Sequence, residues 1–253
     1  MRPGPVTWTG VALWQVGGMK ENAVQATKPQ VVAVCHGIEV LQGPHLSRSM
    51  IASMGSGRYE GNEIAIGLAL IPEGARILEL GAGSGLVGAI LARNVKPESI
   101  LSIEANPNLI APIQALHAHN GLSGTILVVH AVVMSDPKAS AKVDFFVKGN
   151  FLGSSLIQRD GRMRKVSVPV LGYDALCTRY PHDTIMMDIE GGELDFLRHA
   201  DLSHIKLLIA EMHRDVFGRE GMRECRALLA QAGLIFSARH SQGGVHVFQR
   251  RAP

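Results

Sequence analysis

The sequence predicts an α/β fold built on a mostly parallel sheet, with helices on both faces and the last strand antiparallel. Three observations predict it. Strand-like and helical runs alternate from residue 76 to residue 232. The strand runs are apolar throughout rather than alternately polar and apolar, as expected where both faces of a sheet are covered. The chain then closes on two consecutive strand runs, 234–240 and Val245–Arg250, across the turn 241–244. A hairpin cannot continue a parallel crossover, so one of these strands must oppose the rest.

Taken in order, residues 1–30 carry little pattern and read as an extension, with Pro3, Pro5, Gly17, Gly18 and Pro29. Short β-rich runs at 31–34 and Ile38–Leu41, broken by Gly37, predict a small hairpin. Met50, Ile51 and Met54 start a helical pattern that stops at the glycines of 55–57. Ile64, Leu68 and Ile71 resume it until Pro72-Glu73-Gly74. Strands are then expected at Arg76–Leu80, 100–104, 126–129, 184–189 and 206–212. Helices are expected between and after them at 86–93, 108–119, 174–178, 192–199 and 222–232. Residues 131–171 interrupt the alternation with β runs at Lys142–Val147 and 166–171. The expected organisation is an N-terminal extension over 1–55, with the hairpin and a helix. A single cofactor-binding domain follows over 56–253, with 131–171 as a β insertion covering the substrate.

Composition sets limits on function. The 253 residues are 46% hydrophobic and 19% charged, enough for a substantial core and incompatible with wholesale disorder. A formal charge of +3, evenly scattered, gives no basis for nucleic-acid binding; the densest basic stretch (Arg159, Arg162, Arg164, Lys165) reads as a solvated hairpin. No apolar run approaches the ~20 residues of a membrane span. Cys35, Cys177 and Cys225 are odd in number and far apart, which fits a reducing compartment and a cytoplasmic location better than a disulfide framework.

The strongest local signal is Ile77-Leu78-Glu79-Leu80-Gly81-Ala82-Gly83-Ser84-Gly85, an apolar strand that ends in an acid and turns through glycines into a helix. Glycines there let the backbone approach a ligand without a Cβ clash. Gly81-x-Gly83-x-Gly85 alone fits a nicotinamide dinucleotide as well. Glu79 would repel a pyrophosphate, however, and suits a ligand bearing an ammonium group. Glu104, at the end of the next strand, can accept from both hydroxyls of a ribose. S-adenosylmethionine carries ribose, ammonium and sulfonium and no phosphate, so it is the expected cofactor.

E-L-G-A-G-S-G followed by S-I-E-A-N-P resembles the cofactor motifs of class I S-adenosylmethionine-dependent methyltransferases. More narrowly, the chain resembles the FkbM family. Arg58-Tyr59-Glu60, Gly153-Ser154-Ser155-Leu156 and Met187-Asp188-Ile189-Glu190-Gly191-Gly192-Glu193 carry that likeness, which spans roughly 36–215. The resemblance implies a Rossmann-like seven-stranded methyltransferase sheet whose last strand is antiparallel. It also implies O-methyl transfer to a hydroxyl of a sugar, polyketide or other small metabolite. Glu79 stands where the family more often has Asp, and Ser84 departs from the usual spacing. Glu60 is implied to approach the methionine end of the cofactor. Ala82, Ala105, Asn106 and Ala131 fall at positions that line the cofactor in this fold.

Methyl transfer to a hydroxyl requires positioning of the acceptor and uptake of its proton. Asp188 and Glu190 end the fourth strand, and a period of two would put both on one side if extension continues. The bland alternative for Glu190 is a cap on the following helix. Asp188 and Glu190 are both expected to be catalytic, and Asp188 also to touch the cofactor. His213, beside Glu211 after the fifth strand, is the histidine best placed as general base. Glu211, Asn150, Ser154 and Ser155 are the expected substrate contacts, though 150–155 also reads as a plain polar turn. A divalent metal on the Asp188 and Glu190 pair, with Glu211 and His213 completing its ligands, is open. His117 and His119 point to different faces of one helix and read as solvated, and His130 could touch the adenine. Two rival functions remain. An NAD(P)-dependent oxidoreductase would want a Tyr-x-x-x-Lys pair, which Tyr59, Tyr173 and Tyr180 do not offer; the other rival is a non-catalytic cofactor-binding module. The expected partner is a small-molecule acceptor, with neither nucleic acid nor membrane, and a homodimer could form through the N-terminal extension that carries Trp8 and Trp14.

Overall fold

A computed structural model describes residues 29–148, 154–156 and 163–251. Asn150, Trp8, Trp14, Arg159 and Arg162 lie outside the described residues. The chain enters through an antiparallel hairpin, β1 (Val31–Cys35) and β2 (Ile38–Leu41), and two helices, α1 (Arg48–Gly55) and α2 (Gly61–Leu70). Ser47 caps α1, its side chain accepting from the Met50 amide. The alternation follows as β3 (Arg76–Leu80), α3 (Leu86–Asn94), β4 (Ser99–Glu104), α4 (Pro107–His119) and β5 (Ile126–His130). Asn106 caps α4 with Pro107 at its first turn.

After β5 come β6 (Val132–Met134), β7 (Lys142–Val147) and β8 (Arg164–Gly172), which form a separate three-stranded sheet in the order β6-β8-β7. Strand β6 is only three half-buried residues, too short to show a period. The alternation then resumes with α5 (Tyr173–Arg179), β9 (Thr184–Met187), α6 (Glu193–His199), β10 (Leu207–Glu211), α7 (Arg214–Gln231), β11 (Leu234–Phe236) and β12 (Val245–Arg250).

The main sheet has seven strands in the order β11-β12-β10-β9-β3-β4-β5. Strand β12 pairs antiparallel with both β10 and β11, and the other pairings are parallel. This is the expected Rossmann-like seven-stranded sheet, with its last strand antiparallel and inserted one place in from the edge. Alternate strand residues feed two cores. Ile77, Ile100, Ile126 and Met186 meet the hairpin and α1 to α4 on one face. Leu78, Leu101, Ile185 and Leu208 meet α5, α6 and α7 on the other.

Three expected elements change shape. Of these, the strand expected over 234–240 ends already at Phe236. The strand expected over 184–189 ends at Met187, because Glu190 takes φ 55° and Gly191 φ 103° and the chain turns. The helix expected from 222 begins at Arg214 and is broken at Gly218 (φ 69°, ψ −170°), which hid its first part. Where β3 and β9 end side by side, the Asp188 amide donates to the Leu80 carbonyl at 2.9 Å. A Cβ on Gly81 would lie 1.8 Å from the Asp188 carbonyl oxygen.

Gly81→Ala is therefore expected to lower stability by about 3 kcal/mol or more, a fall in Tm of roughly 6 °C or more. Gly74→Ala, at φ 78° with nothing within 4 Å of the added carbon, pays backbone strain alone. Equal thermal shifts in the two variants would show that the close approach is not tight.

Candidate active site

A cavity of about 410 Å³ opens at the C-terminal ends of β3, β4 and β9, within the roughly 300–1,000 Å³ usual for small-molecule and cofactor sites. Its floor is the glycine turn between β3 and α3. The Gly81 and Ala82 amides both donate to the Ile103 carbonyl, the Gly83 amide to Glu104 Oε2 at 2.8 Å, and the Gly85 amide to the Ala82 carbonyl. Glu104 Oε1 accepts from the Asn106 amide at 2.7 Å, so one carboxylate ties the glycine turn to the start of α4. Amides that would cradle a phosphate are already engaged, one of them by a carboxylate, and this weighs against a dinucleotide. Burial pushes Glu104 up to about 7 against its three backbone hydrogen bonds.

Gly81, Gly83, Glu104, Ala105, Asn106 and Ala131 all line this cavity. Ala82 lines a smaller adjoining cavity, and Gly85 lines neither. Gly85 instead carries the turn at φ 76°, packed against Ile113 and His117. His117 is buried, not solvated, and donates from Nε2 to the Gly85 carbonyl at 3.0 Å, while His119 is exposed and pairs with Glu39. The His130 ring donates to the Ala105 carbonyl and lines neither cavity.

Glu79 is placed differently from the expectation. The register pairs it with Ser102 across β3 and β4, and its carboxylate accepts from the Ser102 hydroxyl and the Gly88 amide on the buried face of the sheet. It borders the smaller cavity but its oxygens face α3, where a Cβ on Gly88 would strike them at 2.6 Å. Its work is to hold β3, β4 and α3 together behind the turn. Burial raises it to about 7.

The other end of the cavity is acidic. Tyr59, Glu60, Asp188 and Glu190 line it, with Glu60 and Glu190 both at positive φ. Asp188 and Glu190 do converge, through the left-handed turn rather than through strand alternation: His213 Nε2 lies 3.8 Å from Asp188 Oδ1 and 3.5 Å from Glu190 Oε2. Glu190 is not a helix cap; the residue at that position of α6 is Gly192. Behind them, Glu193 is fully buried, and its Oε1 accepts from His213 Nδ1 at 2.8 Å and from the Gly191 amide at 3.1 Å. Glu193 closes the motif that begins at Met187, and its role appears only in the fold. An acid three residues after Glu190 on the first turn of a helix was the available signal.

His213 lines neither cavity and stands behind the two carboxylates. Burial works against its charged form, but the Glu193 hydrogen bond and the charges of Glu193, Asp188 and Glu190 win and raise it to about 9. It is an imidazolium at neutral pH, a poor base and a good counter-ion. Burial first, then the neighbouring carboxylates, push the acids up. Glu60 rises to about 7, and Asp188, Glu63 and Glu211 also rise, Asp188 well above the ordinary aspartate range. Glu211 lies beyond the cavity wall and hydrogen-bonds Glu63 of α2, a partner that sequence separation concealed. Of the expected acceptor contacts, Ser154 lines the cavity and its Oγ accepts from the Lys148 amide. Ser155 is buried in a β-bridge to Phe146 and does not line it. Ligand atoms of Asp188, Glu211 and His213 lie within 4.8 Å of one another, as do those of Glu60, Glu63 and Glu211.

Among protein families, the model of the protein-L-isoaspartate(D-aspartate) O-methyltransferase family matches residues 63–134, from α2 through the glycine turn to β6. The match covers less than a third of the chain. No curated protein matches the sequence. Among solved structures, precorrin-6y C5,15-methyltransferase from Geobacter metallireducens aligns at 10% identity and TM-score 0.47, over 77% of this chain and 89% of that one. TYW2 of M. jannaschii, solved with AdoMet, aligns at 13% identity and TM-score 0.45 over 85% and 84%. A protein of the NADB-Rossmann superfamily from Streptococcus agalactiae aligns at 15% identity and TM-score 0.45 over 76% and 68%.

The titrations have a signed consequence. Glu60, Glu79 and Glu104 hold protons more tightly folded than unfolded, so their stabilisation is lost as pH rises through about 7. His213 contributes stability fully present below 6.5 and lost as pH rises through about 9. Buried neutral His117 and His182 act in the opposite sense, but only below 6.5. Tm is therefore expected to fall from pH 6.5 to pH 9, and His213→Gln should flatten the part above about pH 7. A Tm that rises over this interval would contradict the assignment.

Proposed function

We propose that the chain is an S-adenosylmethionine-dependent methyltransferase of FkbM type that methylates a hydroxyl of a small metabolite, such as a sugar or polyketide. The observation that carries the reading is the cavity's chemistry. Its glycine turn has its amides engaged, Glu104 faces the place of a ribose, and carboxylates ring the far end, where a cation is favoured and a phosphate is not. In this reading residues 56–253 are the catalytic domain and 131–171 the acceptor's cover; Val132, Met134, Phe145 and Ser154 on the cavity wall support the second assignment.

Gly81, Gly83, Ala105, Asn106 and Ala131 would hold the cofactor, with Glu104 accepting from its ribose and Glu60 and Asp188 near its charged end. The cofactor supplies an electrophilic methyl group on a sulfonium. The chain's own part is to place the acceptor and take its proton. Asp188 Oδ1 is buried without a hydrogen-bond partner while 35% of its side chain stays accessible, and Asp188 is held well above the ordinary aspartate range. A carboxyl whose protonated form is favoured by burial and which still faces the cavity can take up the acceptor's proton. His213, fixed by Glu193, acts as the positive counter-ion that keeps Asp188 and Glu190 together, a positioning role rather than the general-base role expected from sequence. We also infer a cytoplasmic location from the three free cysteines, and a small-molecule rather than nucleic-acid or membrane partner. Among the described residues no helix is long and apolar enough to cross a membrane.

A second reading has support of its own. A hard divalent cation on Asp188, Glu211 and His213 would neutralise the same acids that otherwise keep protons. Incubation with methyl-labelled cofactor and a metabolite extract tests both readings. The protonated cluster predicts label in a chemically stable ether, loss of roughly 100-fold or more in Asp188→Asn, and no effect of chelator. Chelator-sensitive transfer would select the metal, and label on protein or RNA alone would reject the small acceptor.

A further inference from the structure

At the opposite end of the sheet, before β9 and β10, three metal-ligating side chains converge outside anything the methyl-transfer reading uses. Cys177 comes from α5, His182 from the loop that enters β9, and His204 from the loop that enters β10. One ligand atom of each lies within 4.8 Å of the others. The His182 and His204 rings meet edge to face with centroids 5.3 Å apart.

The tautomer of His182 is set. Its Nδ1 donates to the Tyr180 carbonyl at 2.8 Å, which leaves the Nε2 lone pair directed away. A backbone carbonyl on the far nitrogen is the usual outer support of a metal-bound histidine. The Tyr173 hydroxyl stands between the ligands, hydrogen-bonding Cys177 and reaching His182 Nε2 at 3.3 Å, a long contact that yields easily. His204 is exposed and supplies both the entry path and the freedom to close.

We propose that Cys177, His182 and His204 form a site for a soft divalent cation of the zinc type, with one thiolate and two imidazoles as ligands. Tetrahedral bonds of the usual lengths put such ligands roughly 3.3–3.8 Å apart, so the ring of His204 closes the site by a short inward swing. As the metal–Sγ bond forms, the Cys177 thiol proton passes to solvent, and apparent affinity rises with pH. The ion ties α5 to the approaches of β9 and β10, far from the strand ends that carry Asp188 and Glu211, and does not depend on the proposed activity.

The test uses the full chain stripped of metal, titrated with zinc by calorimetry and with cobalt(II) by absorption. Zinc is expected to bind tighter than about 10 µM and to raise Tm, and cobalt to give a thiolate-to-metal charge-transfer band. Cys177→Ser should abolish the band. His204→Ala, a change at an exposed residue that leaves the fold intact, should weaken binding by roughly 10–100-fold or more. Any zinc held by the acidic cluster gives no thiolate band, so the two sites are told apart. Weaker zinc binding, cobalt binding without the band, or a band and affinity unchanged in both variants would overturn the proposal.

Discussion

The site depends on how closely the ends of β3 and β9 approach. The Asp188 amide reaches the Leu80 carbonyl at 2.9 Å, and the Asp188 carbonyl sits where a Cβ on Gly81 would be. That contact fixes the glycine turn and the Asp188 turn as one unit. Glu104 then joins the unit from β4, bridging the Gly83 and Asn106 amides. His117 secures it from α4 through the Gly85 carbonyl, and Glu79 with Ser102 and Gly88 secures it from behind. The floor of the cavity is rigid because each of these bonds starts from a different strand or helix.

Charge is organised around that floor in a way that a neutral pocket would not need. Glu60, Glu63, Asp188, Glu190, Glu193 and Glu211 surround a single imidazole, and burial allows few of them to ionise together. The charges of Glu193, Asp188 and Glu190 pull His213 up to about 9, while burial raises Glu60, Glu63, Asp188 and Glu211. Such a cluster has two uses: it favours a cationic ligand, and it can accept a proton close to neutral pH. Both fit transfer of a methyl group from a sulfonium to a hydroxyl.

Much of this was legible in the sequence. The alternation of apolar strands and helices, the terminal hairpin and the glycine turn are local patterns, and β3 and β12 end where the patterns end. What was not legible depends on register or on turns. The strand period suggested that Asp188 and Glu190 share a side; they do meet, but through the positive φ of Glu190. Glu79 looked like a ligand contact because it precedes the turn, yet strand parity with Ser102 sends it to the core. His213 looked like a base because nothing in sequence shows that Glu193, Asp188 and Glu190 gather around it and together favour its charged form. The Cys177, His182 and His204 cluster comes from three connections that no spacing rule joins.

The proposed function requires this carboxylate-lined cavity to bind S-adenosylmethionine through Glu104 and not a dinucleotide. Calorimetry with S-adenosylhomocysteine and with NAD, on the wild type and on Glu104→Gln, tests it most directly. Saturable heat is expected with the first ligand, none with NAD, and a loss of about tenfold or more in Glu104→Gln at unchanged stoichiometry. Binding of NAD without S-adenosylhomocysteine, or full affinity in Glu104→Gln, would contradict it.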